Sequence, residues 1–312
     1  MDSKKVIIIA NHRPLDNDAR MRQRMASVEQ KADRLAARFP GLDLPSVQRG
    51  VHHNLLKLVL NLDGCYMDLF DLMNFTKNGC ERPSLTPENA AEHYSLANTI
   101  TLNGIYLYQY LTEHGYRPVV VQNYALANLP DLLEERPLAI CISTNFIFWD
   151  DVKDIGAQVK QYAPHVPVIA GGMLVKRLLD PGDNLPAHSL KAMSRFMGKV
   201  DAFVVEAQGE QTLIRLLDGL KRGKPFNGIP NLALFDSRGE MRFTPREKED
   251  LPMDRTAIVW DTIPNKYLRK TLAVNTSRGC YYRCRFCTFH WLFPQVQYKS
   301  LDVLKQELRR IH

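Results

Sequence analysis

Leu138-Ala139-Ile140-Cys141-Ile142-Ser143, the helical-length run Val152 to Tyr162, and Val168-Ile169-Ala170-Gly171-Gly172 decide the fold of this chain. Both apolar runs are short and unbroken by polar residues, the pattern of strands buried on both faces of a parallel sheet. The same alternation continues with a helix around Ala187 to Met197, a strand Ala202 to Val205 and a helix Gln211 to Lys221. Strands that alternate with helices of roughly ten to fifteen residues specify an α/β fold with a doubly wound parallel sheet. Ligands of such sheets bind beyond the carboxyl ends of the strands.

Upstream, Val6 to Ala10 with its three successive isoleucines reads as another buried strand. Thr101 to His114 carries apolar Leu102, Ile105, Tyr106, Tyr110 and Leu111 close to helical spacing, and Gly115 stands where a helix cap is expected. That helix hands over to a strand, Pro118 to Gln122. Between them, about residues 11–100 form a helical N-terminal insertion, with Arg20 to Phe39 and His52 to Leu62 as its clearest helices. Downstream, Phe235 to Glu240 reads as a turn between two short strands, and Thr244 to Pro264 is rich in proline and charge. The expected organisation is a first domain over 1–245, a linker over 246–270 and the start of a second domain over 271–312.

The loops at the strand ends are Ser143-Thr144-Asn145, Gly171-Gly172-Met173 and Glu206-Ala207-Gln208-Gly209-Glu210. Small residues there let backbone amides approach a ligand, and the last loop opens a helix whose positive end favours an anion. Ordinary turn chemistry uses the same residues one loop at a time. Three such loops together make Ser143, Thr144, Gly171, Gly172, Gly209 and Glu210 candidate ligand contacts. After the first strand stands Asn11-His12-Arg13-Pro14 in place of the glycine-rich dinucleotide fingerprint, which argues against a nicotinamide or flavin dinucleotide.

The chain has 312 residues, 45% of them hydrophobic, enough for one large or two ordinary domains. It has neither an apolar run long enough to span a bilayer nor a leader cleavage pattern, and the expectation is a cytoplasmic protein without membrane contact. The net charge of +7 comes from lysines and arginines dispersed among 34 acidic residues. That spread fits a solvated basic surface or a small anionic ligand better than a nucleic acid.

Half of the six cysteines fall in Thr276-Ser277-Arg278-Gly279-Cys280-Tyr281-Tyr282-Arg283-Cys284-Arg285-Phe286-Cys287. The spacing C-x3-C-x2-C, after an apolar strand expected over Leu272 to Asn275 and before a helix over Leu301 to Ile311, places three soft thiolates on one loop. Such ligands select an iron–sulfur cluster, zinc or copper(I). Three ligands leave one position open in a four-iron cluster. His290, just beyond Cys287, offers the structural alternative of a Cys3His zinc site.

Gly279-Cys280-x3-Cys284-x-Phe286-Cys287 resembles the signature loop of the radical S-adenosylmethionine (SAM) superfamily, and its place between strand and helix matches the first β/α unit of that family's barrel. The resemblance implies that Cys280, Cys284 and Cys287 hold a 4Fe-4S cluster whose open iron binds the amino and carboxylate groups of SAM. An electron from the cluster then cleaves the sulfonium to a 5′-deoxyadenosyl radical. It also places Phe286 against the adenine of SAM, although a core aromatic beside a loop would have the same spacing. Tyr106 to Pro130, Ile142-Ser143-Thr144, Val168 to Gly172 and Val204 to Leu213 look like the Rossmann-like cobalamin (B12)-binding domain found N-terminal to such barrels. Its last motif usually reads Gly-Glu-Gly-Glu. Here Glu206 and Gln208 depart from it, and Gly209-Glu210 remain. By this resemblance, which covers roughly residues 100–312 and the first strand, the six loop residues contact cobalamin.

The motif Asp-x-His-x-x-Gly, which supplies a histidine to cobalt in methionine-synthase-like domains, is absent, so no lower axial ligand is identifiable. Only about forty residues follow Leu272, and one β/α unit cannot close a barrel. The expectation is therefore the N-terminal portion of a radical SAM enzyme, inactive alone. The resemblance implies methylation of an unactivated carbon of a small-molecule or peptide substrate, with electrons from a donor such as flavodoxin or ferredoxin. Cyclisation or rearrangement in the same architecture, a non-catalytic cobalamin-binding subunit and a zinc-stabilised α/β binding protein stay open. Cys141 reads as a core residue. Cys65 and Cys80 have no partner at metal spacing, and a second cluster on Cys65, Cys80 and Cys141, as in methylthiotransferases, would need a strand-interior thiol.

Overall fold

Isoleucine and valine set the sheet. Strand β1 (Lys5–Ile9) is buried along its whole length, with Ile7 and Ile9 facing one core and Val6 and Ile8 the other. Each such side chain contributes about 1.5–3 kcal/mol on burial, so a strand of this composition is stable only where both faces are covered. The computed structural model describes residues 4–12, 26, 30, 33–34, 37–38, 60–62, 65–67, 69–81, 92–94, 102–180, 185–249, 251–268, 272–285, 287 and 289–311. The chain divides into two compact units, Met1–His12 with Thr99–His312, and Arg13–Asn98.

The smaller unit contains β2 (Leu60–Leu62), β3 (Cys65–Met67) and α1 (Leu69–Lys77). The described residues of the expected helix Arg20 to Phe39 (Ala26, Gln30, Asp33, Arg34, Ala37 and Arg38) are helical. The expected helix His52 to Leu62 is corrected at its end: residues 60–62 form a strand that pairs antiparallel with β3, Leu62 opposite Cys65. Residues 52–59 lie outside the described residues. Asn74, the buried residue of α1, exchanges two hydrogen bonds with the backbone of Tyr94, at 2.7 and 2.6 Å.

The larger unit continues from β1 through α2 (Leu102–Glu113), β4 (Arg117–Val121), α3 (Leu129–Glu134), β5 (Ala139–Ser143) and α4 (Trp149–Tyr162). It goes on through β6 (Val168–Gly171), α5 (Met173–Leu179), α6 (Ala187–Met193), β7 (Ala202–Val204) and α7 (Glu210–Lys221). Then follow β8 (Leu232–Phe235), β9 (Met241–Phe243), β10 (Ser277–Arg278), α8 (Phe289–Leu292), β11 (Gln297–Tyr298) and α9 (Leu301–Arg309). The sheet order is β4-β1-β5-β6-β7-β8-β9. Pairings up to β7 are parallel, and β8 and β9 add an antiparallel edge. Helices α4 and α5 cover one face and α2 and α7 the other, the doubly wound arrangement expected.

The proline- and charge-rich stretch after β9 packs on the sheet: Ile258, Trp260, Ile263 and Tyr267 are buried in the same core as α2 and α7. Gln109 of α2 holds it at both backbone edges, donating to Ala257 O at 3.0 Å and accepting from Val259 N–H at 2.8 Å. On edge strand β4, Val120 N–H donates to the Tyr267 hydroxyl at 3.1 Å, and the Gln122 side chain donates to Tyr267 O at 2.8 Å.

The expected strand Leu272 to Asn275 is not one. Residues 272–276 have no regular structure, and the extended residues are Ser277 and Arg278, paired antiparallel with Tyr298 and Gln297. A strand needs a hydrogen-bonding neighbour, and among the described residues 272–275 have none, while Thr276 O accepts Lys299 N–H at 2.9 Å where the β10–β11 pair begins. Helix α9 is anchored by Glu307, which accepts Ile258 N–H at 3.0 Å and forms an ion pair with Lys299 in which both side chains are almost wholly excluded from solvent.

Candidate functional site

A cleft of about 590 Å³, its open mouth included, lies at the carboxyl ends of β5, β6 and β7, on the face covered by α2 and α7. Cys141, Ile169, Val204 and Leu213 give it apolar walls, and Ser143, Gly171, Gly172, Gly209 and Glu210 border it. Five of the six loop residues singled out in the sequence thus meet at one place. The sixth, Thr144, does not line the cleft. Its hydroxyl donates to Gly171 O at 2.9 Å and accepts from Val175 N–H at 3.4 Å. Asn145 Oδ1 likewise takes Met173 N–H at 3.1 Å, so this loop fastens the start of α5. Gly209 is required for space, since a Cβ there would overlap the Val204 side chain.

The amino end of α7 corrects one expectation. Instead of standing open to an anionic ligand, its amides are filled from within: Gln211 N–H and Thr212 N–H donate to the Glu249 carboxylate at 2.8 and 3.0 Å, and the Thr212 hydroxyl joins them. Burial raises the Glu249 pKa, and these donors work against that rise. An internal carboxylate on the first turn satisfies both the exposed donors and the helix dipole.

Glu210, the first residue of α7, is pushed up to about 7 by burial, with Glu249 and Glu206 adding to the effect and its own backbone N–H and Arg278 opposing it. Tyr106 on α2 also titrates above the usual phenol range, through burial and then the nearby Glu210. Asn103, one turn earlier, donates from its amide nitrogen to Ser143 Oγ at 2.6 Å. The cleft therefore combines an apolar slot with a short polar edge, a form suited to a flat, largely uncharged group. In sequence, Tyr106 falls among the apolar positions of this helix and Asn103 carries no motif. The i, i+3 spacing of the two polar tips on α2 was the available signal.

Cys280, Cys284 and Cys287 lie on one loop that leaves β10, with Cys284 exposed and the other two partly buried. Cys287 N–H turns back to Cys284 O at 3.0 Å, and Phe289 N–H reaches Cys287 Sγ at 3.4 Å. Gly279 has φ +96°, and a Cβ there would overlap Gln295 O and stand 2.9 Å from Val296 Cα. The glycine before the first cysteine thus lets the loop press onto residues 295–296. Cys280 and His290 share a shallow, open depression with Arg283 and Val296. Among the described residues no three histidine, cysteine or carboxylate side chains converge on one point, so the ligand assignment stands on spacing and loop chemistry. Phe286 lies outside the described residues. Arg278 links the two regions, since it belongs to the cysteine loop's strand and its charge acts on both Glu210 and Tyr106.

Solved structures with a related backbone exist. The chain is similar to the radical SAM methyltransferase TsrM from Kitasatospora setae with tryptophan substrate and a SAM analogue bound, at 16% identity and TM-score 0.46 over 67% of this chain and 42% of that one. It is similar to TsrM with cobalamin and a 4Fe-4S cluster bound, at 18% identity and TM-score 0.45 over the same shares. A third is the cobalamin-dependent SAM radical enzyme OxsB with aqua-cobalamin and SAM bound, at 19% identity and TM-score 0.48 over 67% of this chain and 28% of that one. The chain spans less than half the length of each. No protein-family model matches it, and no curated protein matches it in sequence.

Cys141 is buried within β5, where desolvation pushes its thiol up to about 12, as a core cysteine requires. Cys65 is partly buried and Cys80 exposed. No described helix is long and apolar enough to cross a membrane.

Proposed function

We propose that this chain is the cobalamin-binding and cluster-bearing portion of a radical SAM enzyme that methylates an unactivated carbon. The observation that carries the reading is the meeting of Ser143, Gly171, Gly172, Gly209 and Glu210 around one cleft, in the same compact unit as the C-x3-C-x2-C loop. The cleft's apolar walls and short polar edge fit the planar, neutral benzimidazole base at the end of cobalamin's nucleotide tail. The three thiols fit a soft metal cluster, and the arginines interspersed with them, Arg278, Arg283 and Arg285, favour its net negative charge.

Within that reading Cys280, Cys284 and Cys287 are the cluster ligands and Phe286 is a SAM contact. Ser143 and Gly171 to Gly172 border the corrinoid, with Thr144 holding their loops together. When bound, the cluster and SAM supply a carbon radical and the cobalamin supplies a methyl group. The protein's part is to fix their relative positions and exclude water. A small-molecule or peptide substrate and a separate electron donor complete the proposal.

Anaerobic reconstitution with iron and sulfide, followed by metal analysis and a visible spectrum, tests the first half. About four irons per chain and broad visible absorbance are expected, and a colourless protein holding one zinc would overturn it. Gel filtration after incubation with hydroxocobalamin tests the second half independently. Failure to retain the corrinoid removes it.

A further inference from the structure

Three polar atoms on residues lining the cleft are shielded from solvent and have no hydrogen-bond partner among the described residues: Asn103 Oδ1, Tyr106 Oη and Glu210 Oε2. An unpaired buried polar atom costs about 1–3 kcal/mol, so a ligand that satisfies all three gains from each. Their chemistry limits what that ligand presents. Asn103 gives one N–H to Ser143 Oγ, and its unpaired Oδ1 offers an acceptor. Tyr106 offers a donor. Glu210 donates only as the neutral acid.

The charged and titratable groups that act on Glu210 are Arg278 on β10, Glu206 in the loop before α7, Glu249 beyond β9, and Tyr106 and Tyr110 on α2. Arg278 is the cation in this set, and it belongs to the strand that leads into the cysteine loop.

We infer that Glu210 is a latch between the cleft and the cysteine loop: as a neutral acid it donates a hydrogen bond to the ligand in the cleft, and as a carboxylate, the form that the charge of Arg278 favours, it gives up the ligand. The latch rests on the corrinoid reading of the cleft. Burial places half-ionisation of Glu210 at about 7, so both forms are populated near neutral pH, and ionisation simply passes the proton to water. A cleft so controlled prefers an uncharged ligand edge and binds it more weakly as pH rises. Arg278, two residues before Cys280, makes that preference sensitive to rearrangement of the cysteine loop.

The test uses the full chain and cyanocobalamin, whose own charge is constant over the range, with affinity measured by equilibrium dialysis from about pH 5 to pH 9. The dissociation constant of the wild type should be flat below the Glu210 midpoint and rise about tenfold per pH unit above it. Glu210→Gln should bind with an affinity independent of pH. Arg278→Gln should move the break to higher pH, because the charge that favours the carboxylate is gone. A flat wild-type profile, or a break that persists in Glu210→Gln, overturns the latch and leaves the corrinoid reading standing. If cyanocobalamin binds at no pH, the corrinoid reading fails, and carbon-13 NMR titration of the Glu210 carboxyl decides the latch. A midpoint that Arg278→Gln leaves unmoved overturns it, and an upward shift sustains the coupling with another neutral ligand.

Discussion

Gly279 shows how much one hydrogen atom in place of a side chain decides beside the cysteines. Its positive φ and the crowding by Gln295 O and Val296 Cα leave no room for a Cβ, so Gly279→Ala should cost about 1–3 kcal/mol in local strain. Reconstituted Gly279→Ala is expected to hold less iron per chain than wild type, with unchanged circular dichroism marking the defect as local. The cysteines themselves divide by exposure. At pH 8, iodoacetamide followed by peptide mapping should label exposed Cys284 and spare Cys141, whose thiol stays protonated inside β5 until the protein unfolds. Early labelling of Cys141 would contradict its place in the core. Glu210 carries a pH signature into stability. Its folded pKa of about 7 lies above the unfolded value of 4.5, so the folded state holds the proton longer. The stability it contributes is complete below 4.5 and disappears as pH rises through 7. The difference is about 3 kcal/mol by linkage. Urea unfolding of wild type against Glu210→Gln across that window should show wild type declining relative to the variant.

At the scale of elements, α7 depends on a residue far from it in sequence. Glu249 accepts from Gln211 and Thr212 at a separation of 38 and 37 residues, so a reading confined to local capping patterns could not find it. Glu249→Ala strips both amides of their acceptor and should destabilise the protein by about 1–3 kcal/mol, with Glu249→Gln retaining part of the loss, both read from urea midpoints. Elements whose own side-chain pattern reports their burial are legible. The strands at Ile7, Ile140 and Val168 announce themselves because burial on both faces admits only branched apolar side chains. Helix α5 gives no clear signal in sequence because its seven residues follow Gly172 directly and are fixed by Thr144 and Asn145 on another loop. The triad Cys280, Cys284 and Cys287 stands out by its spacing, which marks a soft-metal loop, while its role as a cluster ligand set belongs to the proposal. The polar edge formed by Asn103 and Tyr106 does not stand out, since a tyrosine on a buried helix face looks like core until the opposite wall is in view.

At the scale of the larger unit, the segment after β9 reads in sequence as a tether because its buried residues, Ile258, Trp260, Ile263 and Tyr267, follow neither helical nor strand spacing. Its place is set instead by long-range hydrogen bonds to Gln109, Val120 and Gln122. The Lys299–Glu307 pair ties the next stretch to it through Ile258 N–H. Removing one partner of a buried pair strands the other charge, so Glu307→Ala should lose about 3–5 kcal/mol. Replacing both with apolar residues, Lys299→Met with Glu307→Leu, should recover most of that loss in chemical denaturation, and a double variant as unstable as the single one would deny the pair's isolation from water.

The grip of Gln109 on both Ala257 and Val259 also bears on how such proteins can be recombined. A cysteine-bearing module transplanted at residue 268 onto a foreign sheet would leave behind Trp260 and Tyr267 and arrive without its footing. The natural seam for a chimera lies just after β9, near residue 245, and any exchange of the cysteine-bearing segment would have to carry residues 251–268 together with a matching glutamine on the receiving helix.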